Sequence, residues 1–313
     1  MTKVLVVGSI NMDIVNAVKD HPKPGETLHA FGTRYIPGGK GANQAIAAAR
    51  AGAAVTFVGA VGSDAFGGQL RDGLAQAGVD VSHVSVRPGT SGLAFITVAE
   101  SGENTIILSA GSNGSVMPAD VDRAEVALAA CDVVLLQNEI PWETTVHAMR
   151  RARALGRQVY LNLAPARELT DEEIRLVDVL VVNEVEASVA SSVPVSSVAE
   201  AVDAGRRLVS RGAEAVLVTL GAQGCVWVDP AGDPAHFPAF PVQPVDTTAA
   251  GDTFIGAFAA VRGTGTAPGA GDALPLHEAL RFASAAAAVK VTRPGAQTGI
   301  PSREDIERFL QAR

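Results

Sequence analysis

The sequence predicts an α/β fold: a central, mostly parallel sheet flanked by helices, with a small separate β-sheet attached. Three observations predict it. Short Val/Leu/Ile runs recur along the chain, they alternate with longer Ala-rich segments of helical spacing, and one early region of short strands and turns breaks that rhythm. Inner strands of a parallel sheet are buried on both faces and read as short continuous apolar runs. Such runs lie at Lys3–Val7, Val55–Ala60, Val133–Leu136, Gln158–Leu161, Val179–Val182 and Val216–Thr219. Helical spacing marks Gly41–Arg50, Ala65–Ala77, Thr144–Ala154, Val198–Arg211, Ala250–Val261, Leu276–Val289 and Arg303–Leu310. The interrupting region, about 13–36 and 94–108, forms the small sheet, with Ser101-Gly102-Glu103-Asn104 as a hairpin loop. An open sheet with free edges needs a covering partner, so this element is expected to close over a cleft as a lid or to clasp a second copy in a homodimer.

The 313 residues suffice for one large or two modest domains. A formal charge of −8 with no dense basic block argues against nucleic acid as a partner. Cys131 and Cys225 form no CxxC pair and have no clustered histidines for zinc, so a reduced, cytoplasmic setting is expected. Val4–Val7 is too short an apolar run for a signal peptide or a membrane span, and no membrane partner is expected. The Gly/Pro-rich stretch 263–275 reads as a flexible loop.

Three segments carry candidate chemistry. The first strand ends at Gly8 without a G-x-G-x-x-G fingerprint, which removes support for a dinucleotide oxidoreductase. Asn11 and Asp13 follow, at the strand end where open α/β sheets place ligands; they suit a polyol and can equally well shape the turn. Gly38-Gly39-Lys40-Gly41-Ala42-Asn43-Gln44 opens the first strong helix and lacks the spacing of a phosphate-binding P-loop. Lys40 and Asn43 are read as facing a hydroxylated substrate or a terminal phosphate, since a helix cap alone needs only one of them.

The third segment, Val245–Phe254, runs through small residues into a long apolar helix. Backbone N–H groups at Ala249, Ala250 and Gly251 are placed to form an anion hole, worth about 3 kcal/mol per well-aimed donor. Asp252 beside them can take the proton of an attacking hydroxyl, a base contribution of about 10²–10⁴-fold; the plainer alternative is an acidic residue stabilising its own helix N-terminus. A second Gly-Ala-Gly-Asp, at Gly269–Asp272, sits between Pro268 and Pro275, where no long helix can start, and is set aside.

With these segments in order, the chain resembles the ribokinase, or PfkB, family of carbohydrate kinases over nearly its whole length. Gly38–Gln44 is similar to the family's first signature and Asp246–Asp252 to its second. Between them stand Gln137-Asn138-Glu139-Ile140-Pro141, Asn162–Arg167, Asn183-Glu184-Val185-Glu186 and Thr219–Gly224. The resemblance implies a ribokinase-like fold in which 1–313 forms one kinase domain. It implies a sugar held by Asn11, Asp13, Gly39, Lys40, Asn43 and Glu139, with Asp252 as base. ATP is expected at Asn183, Thr219, Leu220, Gly221, Ala222, Gln223, Gly224, Gly251 and Ser284, although Thr219–Gly224 also reads as an ordinary hairpin into Cys225–Val228. Magnesium is expected to arrive with ATP, near Glu186. Potassium is expected at Asp246, Thr248 and the carbonyls of Lys290, Arg293 and Gly295; at Gly299, where the family often has serine, a ligand oxygen is lost. The activity implied is ATP-dependent phosphorylation of D-ribose at O5. The alternatives are a nucleoside, another pentose or a ketohexose derivative as substrate, or a catalytically silent sugar-sensing protein.

Overall fold

Strand β1 (Lys3–Val7) sends Val4 and Val6 into one hydrophobic cluster and Leu5 and Val7 into another, so that both faces of the sheet are sealed by helices. The structure, a computed structural model, describes residues 1–263 and 273–313. The Gly269–Asp272 tetrapeptide and most of the 263–275 loop therefore lie outside the described residues. The strands after β1 are β2 (Asn11–Val18), β3 (Gly32–Gly38), β4 (Ala54–Gly62), β5 (Val79–Arg87), β6 (Gly92–Ala99), β7 (Asn104–Ser109) and β8 (Val133–Leu136). They continue with β9 (Gln158–Asn162), β10 (Val179–Asn183), β11 (Val216–Thr219), β12 (Cys225–Val228) and β13 (Ala235–Phe237). The helices are α1 (Lys40–Arg50), α2 (Gly67–Gln76), α3 (Pro118–Arg123), α4 (Glu125–Ala130), α5 (Trp142–Ala154) and α6 (Asp171–Ile174). After them come α7 (Glu184–Ser191), α8 (Val198–Ser210), α9 (Ala250–Arg262), α10 (Leu276–Val291) and α11 (Arg303–Gln311).

The main sheet runs β13-β12-β11-β10-β9-β8-β1-β4-β5 and is parallel except at β12 and β13. Helices α1, α2, α9, α10 and α11 contribute to the cluster on the Val4 face, and α3, α4, α5, α7 and α8 to the cluster on the Leu5 face. Each fully buried Val or Leu in these layers contributes about 1.5–3 kcal/mol. The small sheet has the order β3-β2-β6-β7. It extends two residues beyond the predicted start at each of its two segments, because Asn11 and Gly92 already pair with each other.

The six predicted main strands and seven predicted helices are present with ends shifted by two residues at most. Strand β5 leaves no apolar run in the sequence because it is an edge strand whose outward residues, Asp80 and Ser82 among them, interrupt it. No helix among the described residues is long and apolar enough to cross a membrane.

Candidate active site

Parallel strands all point the same way, so the segments following β1, β8, β9, β10 and β11 gather along one edge of the sheet. Gly39 has φ +90°, and a Cβ there would stand 2.8 Å from the Asn11 amide, so only glycine lets the start of α1 press on the turn after β1. That closeness brings Glu139, from the end of β8, under the helix mouth. It accepts the Lys40 N–H at 3.1 Å and the Ser9 hydroxyl at 2.5 Å. Asn11 is buried, and its oxygen accepts from Asn113 at 2.7 Å.

Helix α9 docks on α1 through Gly256, where an added Cβ would lie 2.4 Å from the Gln44 carbonyl and 2.6 Å from Ala47 Cβ. One turn earlier on the same face stands Asp252, whose two carboxylate oxygens accept from Asn43 and Gln44, each at 2.9 Å. Asn43 makes no cap to its own helix. It spends its amide on Asp252, and its oxygen accepts from Gln297 at 3.2 Å. Gln44 is in turn fixed by Gln137 (2.7 Å) and bonds Asn162 (3.0 Å), so the carboxylate is oriented by a buried network. The sequence by itself indicates no role for Gln44, Gln137 or Asn162. The available signal was the spacing of Gln44 four residues after Lys40, on the same helical face.

Lys40 stands among Asp13, Glu139, Glu186 and Asp252. Burial is the largest influence and pushes its ammonium down, but the four carboxylates together hold it above its ordinary value. The carboxylate of Asp13, on β2, accepts no hydrogen bond from the described residues. Burial first, then repulsion from Glu139 and Asp252, pushes its carboxyl up to about 7 against the pull of Lys40. Glu139 is raised chiefly by burial, opposed by Lys40 and Ser9. The residues expected to hold the substrate, Asn11, Asp13, Gly39, Lys40, Asn43, Glu139 and Asp252, thus cluster where the start of α1 meets β2, the end of β8 and the first turn of α9.

At the mouth of α9, Ala249 adopts a left-handed conformation (φ +59°) and offers no side-chain cap. The Ala250 N–H is taken by the Thr247 carbonyl at 3.1 Å, whereas those of Ala249, Gly251 and Asp252 have no acceptor among the described residues. The free donors are therefore shifted relative to the expected Ala249–Gly251 set. Space beyond Gly251 is open, and a cavity of about 510 Å³ begins there. Of the residues expected around ATP, Thr219, Gly221, Ala222, Gly224, Gly251 and Ser284 line it. Leu220 does not: its side chain belongs to the core, and its backbone closes the β11–β12 hairpin onto Gly224. Gln223 also stays outside, its carbonyl taken by His236. Asn183 does not line the cavity either; it caps α7, exchanging hydrogen bonds with Glu186 at 2.9 Å. Apolar walls come from Phe254 of α9 and from Phe240, Pro241 and Val242, the last three in a Pro-rich segment that has no periodicity to mark them.

Glu186 gives one oxygen to Asn183, while its other oxygen accepts no hydrogen bond from the described residues. Burial raises its carboxyl, opposed by the Asn183 amide and Lys40. No group of three His, Cys, Asp or Glu among the described residues could hold a metal ion by itself. The residues assigned to potassium gather around Asp246, which bonds the Thr248 and Gly295 amides. The positive charge standing among them is the ammonium of Lys290.

A carboxylate braced against a helix mouth with free amides, next to a cavity of nucleotide size, is the apparatus of phosphoryl transfer to an alcohol. Fold and site together define a small-molecule kinase. The chain belongs to the pfkB family of carbohydrate kinases, whose sequence model matches residues 1–303. It is 42% identical to a ribokinase of Haemophilus influenzae over 307 residues, covering 98% of this chain and 97% of the relative. It is 36% identical to a deoxyribokinase of Salmonella typhi over 309 residues, covering 98% of each. Among solved structures, the ribokinase of Arabidopsis thaliana complexed with ribose and ATP superimposes with a TM-score of 0.90 at 32% identity, covering 99% of both chains.

Proposed function

We propose that this protein transfers the γ-phosphoryl group of ATP to the primary hydroxyl of D-ribose, giving D-ribose 5-phosphate and ADP, with 1–313 acting as one kinase domain. The observation that carries the mechanism is the placement of Asp252, held through both oxygens by Asn43 and Gln44 and adjoining the free amides of α9. The ribose assignment is supported by the ribokinase relatives that match along the full chain. Asn11, Asp13 and Glu139 supply hydrogen-bonding partners for the sugar hydroxyls, and Asp252 takes the proton of the primary hydroxyl as its oxygen attacks phosphorus. The Ala249, Gly251 and Asp252 amides and the Lys40 ammonium receive the charge that builds on the transferring group. The nucleotide base fits the apolar end of the cavity near Phe240 and Ser284. Magnesium bound to the ATP phosphates would screen their charge, and Glu186 is the carboxylate that would face its water shell. The small sheet closes over the sugar and keeps water from the phosphoryl group.

The same sheet offers a homodimer surface. Tyr35, Ile14, Phe95 and Ile107 lie in one cross-strand row, and Tyr35, Phe95 and Ile107 are 58%, 41% and 70% exposed. A second substrate reading is 2-deoxyribose, favoured by the deoxyribokinase relative. Release of ADP, measured over ribose, 2-deoxyribose, other pentoses, fructose and nucleosides, decides between them. The highest kcat/KM on ribose supports the proposal, and a preference for any other acceptor overturns it.

A further inference from the structure

Lys290, near the end of α10, is a lysine with 0% exposure. A buried ammonium needs oxygen partners, and it finds them across the site. Its Nζ donates to the Asp246 carbonyl at 3.0 Å and lies 3.5 Å from the Arg293 carbonyl. Burial pushes the ammonium below its ordinary value, and the Asp246 carboxylate, itself fixed by the Gly295 amide at 2.8 Å and the Thr248 amide at 2.9 Å, opposes this as the countercharge. The backbone carbonyl of Lys290, expected to face a metal ion, accepts the Arg293 N–H at 3.0 Å.

Gly299 explains how the side chain fits. A Cβ built there would lie 3.0 Å from Lys290 Cδ, and 2.8 and 3.2 Å from the Gly295 and Arg293 carbonyls. A serine at 299 would crowd the lysine stem, so the missing hydroxyl and the inserted ammonium are two halves of one arrangement. Potassium and an alkyl-ammonium carry the same charge, are of comparable size and are satisfied by the same carbonyl and carboxylate oxygens. With the ammonium in place, the residues present do not fit a separate potassium ion.

We propose that Lys290 is a built-in monovalent cation, which gives this kinase a permanent replacement for bound potassium. What it steadies is the loop ahead of α9. Val245 and Asp246 both donate to the Val291 carbonyl, at 2.7 and 3.1 Å, and the ammonium adds a charged tie from the same helix. Three residues beyond Asp246 the chain turns through Ala249 into the free amides of the helix mouth. A cation fixed at this point therefore holds the frame of the phosphoryl pocket.

The inference rests on the kinase reading only for its rate measurement, and thermal unfolding without substrates tests it separately. The apo protein and its Lys290→Met variant are melted in potassium chloride and in tetramethylammonium chloride of equal ionic strength. ADP release is then measured in both salts. The unsubstituted protein is expected to show the same Tm and the same rate in either salt. Lys290→Met is expected to lose Tm in tetramethylammonium chloride and regain it with potassium, with the rate recovering about tenfold. A potassium-dependent rise in the Tm of the unsubstituted protein overturns the proposal, and that comparison needs no variant to fold. Equal melting of Lys290→Met and the unsubstituted protein in tetramethylammonium chloride overturns it as well. Absence of phosphoryl transfer in both salts removes the kinase reading and leaves the melting result to decide this one.

Discussion

Asp252 carries two amide hydrogen bonds and points toward a helix mouth, a cost in desolvation that a purely structural acidic residue at an exposed helix start would avoid. Asp252→Asn is expected to lower kcat by about 10²–10⁴-fold because the variant loses its basicity, and to lower the Tm as well, because its new NH2 group faces one of the two amide donors of Asn43 and Gln44. Steady-state kinetics check this, and near-normal turnover removes the proposed base. Asp13 makes a pH-dependent prediction. Its pKa of about 7 in the folded protein exceeds the ordinary 3.8, so the folded state binds its proton more tightly. The contribution to stability is complete below the unfolded value and is lost as pH rises through about 7. Asp13→Asn is therefore expected to raise the apo Tm at about pH 8 by roughly 2–4 °C, to lose this advantage at about pH 4, and to weaken sugar binding. Lys40→Met has the opposite sign, since it leaves four carboxylates facing one another without their cation. Its Tm deficit, followed by calorimetry, should be larger at about pH 8 than at about pH 5, where carboxylates take up protons.

Helix α9 shows how an element transmits packing to chemistry. Its contact with α1 depends on Gly256, and the atoms an added Cβ would meet are the Gln44 carbonyl and Ala47 Cβ, in the body of the neighbouring helix. Gly256→Ala should push the two helices apart and displace Asp252 from Asn43 and Gln44. A misplacement near 1 Å can cost about 10²-fold in rate, so kcat is expected to fall strongly although no reacting group has changed. Unchanged kcat would show that the Asp252 network tolerates the shift. The Thr219–Gly224 turn is the contrasting case. It is both a β11–β12 hairpin and a cavity wall, since Gly221 borders open space, Gly224 packs against the Phe237–Ala239 backbone and Leu220 anchors the turn in the core.

The molecule as a whole consists of a nine-stranded sheet whose edge carries the proposed phosphoryl corner and a second, smaller sheet carrying Asn11 and Asp13. The exposed row of Tyr35, Phe95 and Ile107 lies on that second sheet, so the proposed closure over the sugar and the proposed pairing of two copies would use one element. Ile107→Glu is expected to shift the sedimentation equilibrium from dimer to monomer and to raise KM for sugar. A monomeric unsubstituted protein removes the dimer proposal.

Much of this was legible in the chain itself. The inner strands and long helices follow from apolar runs and helical spacing, because a strand buried on both faces has no polar position to hide it. Asn11, Lys40, Asn43 and Asp252 were readable because small or glycine-rich segments surround them at strand ends and helix starts. Local sequence could not show the partners that meet from afar: Gln44 with Gln137 and Asn162, Asn11 with Asn113, the Pro-rich wall around Phe240, or the ammonium of Lys290 among the carbonyls of Asp246 and Arg293. Apart from Lys290 with Arg293, those pairings join residues far apart along the chain. They exist only once the helices have docked on the sheet, because hydrogen-bond distance is a property of packing in space and leaves no period in the sequence.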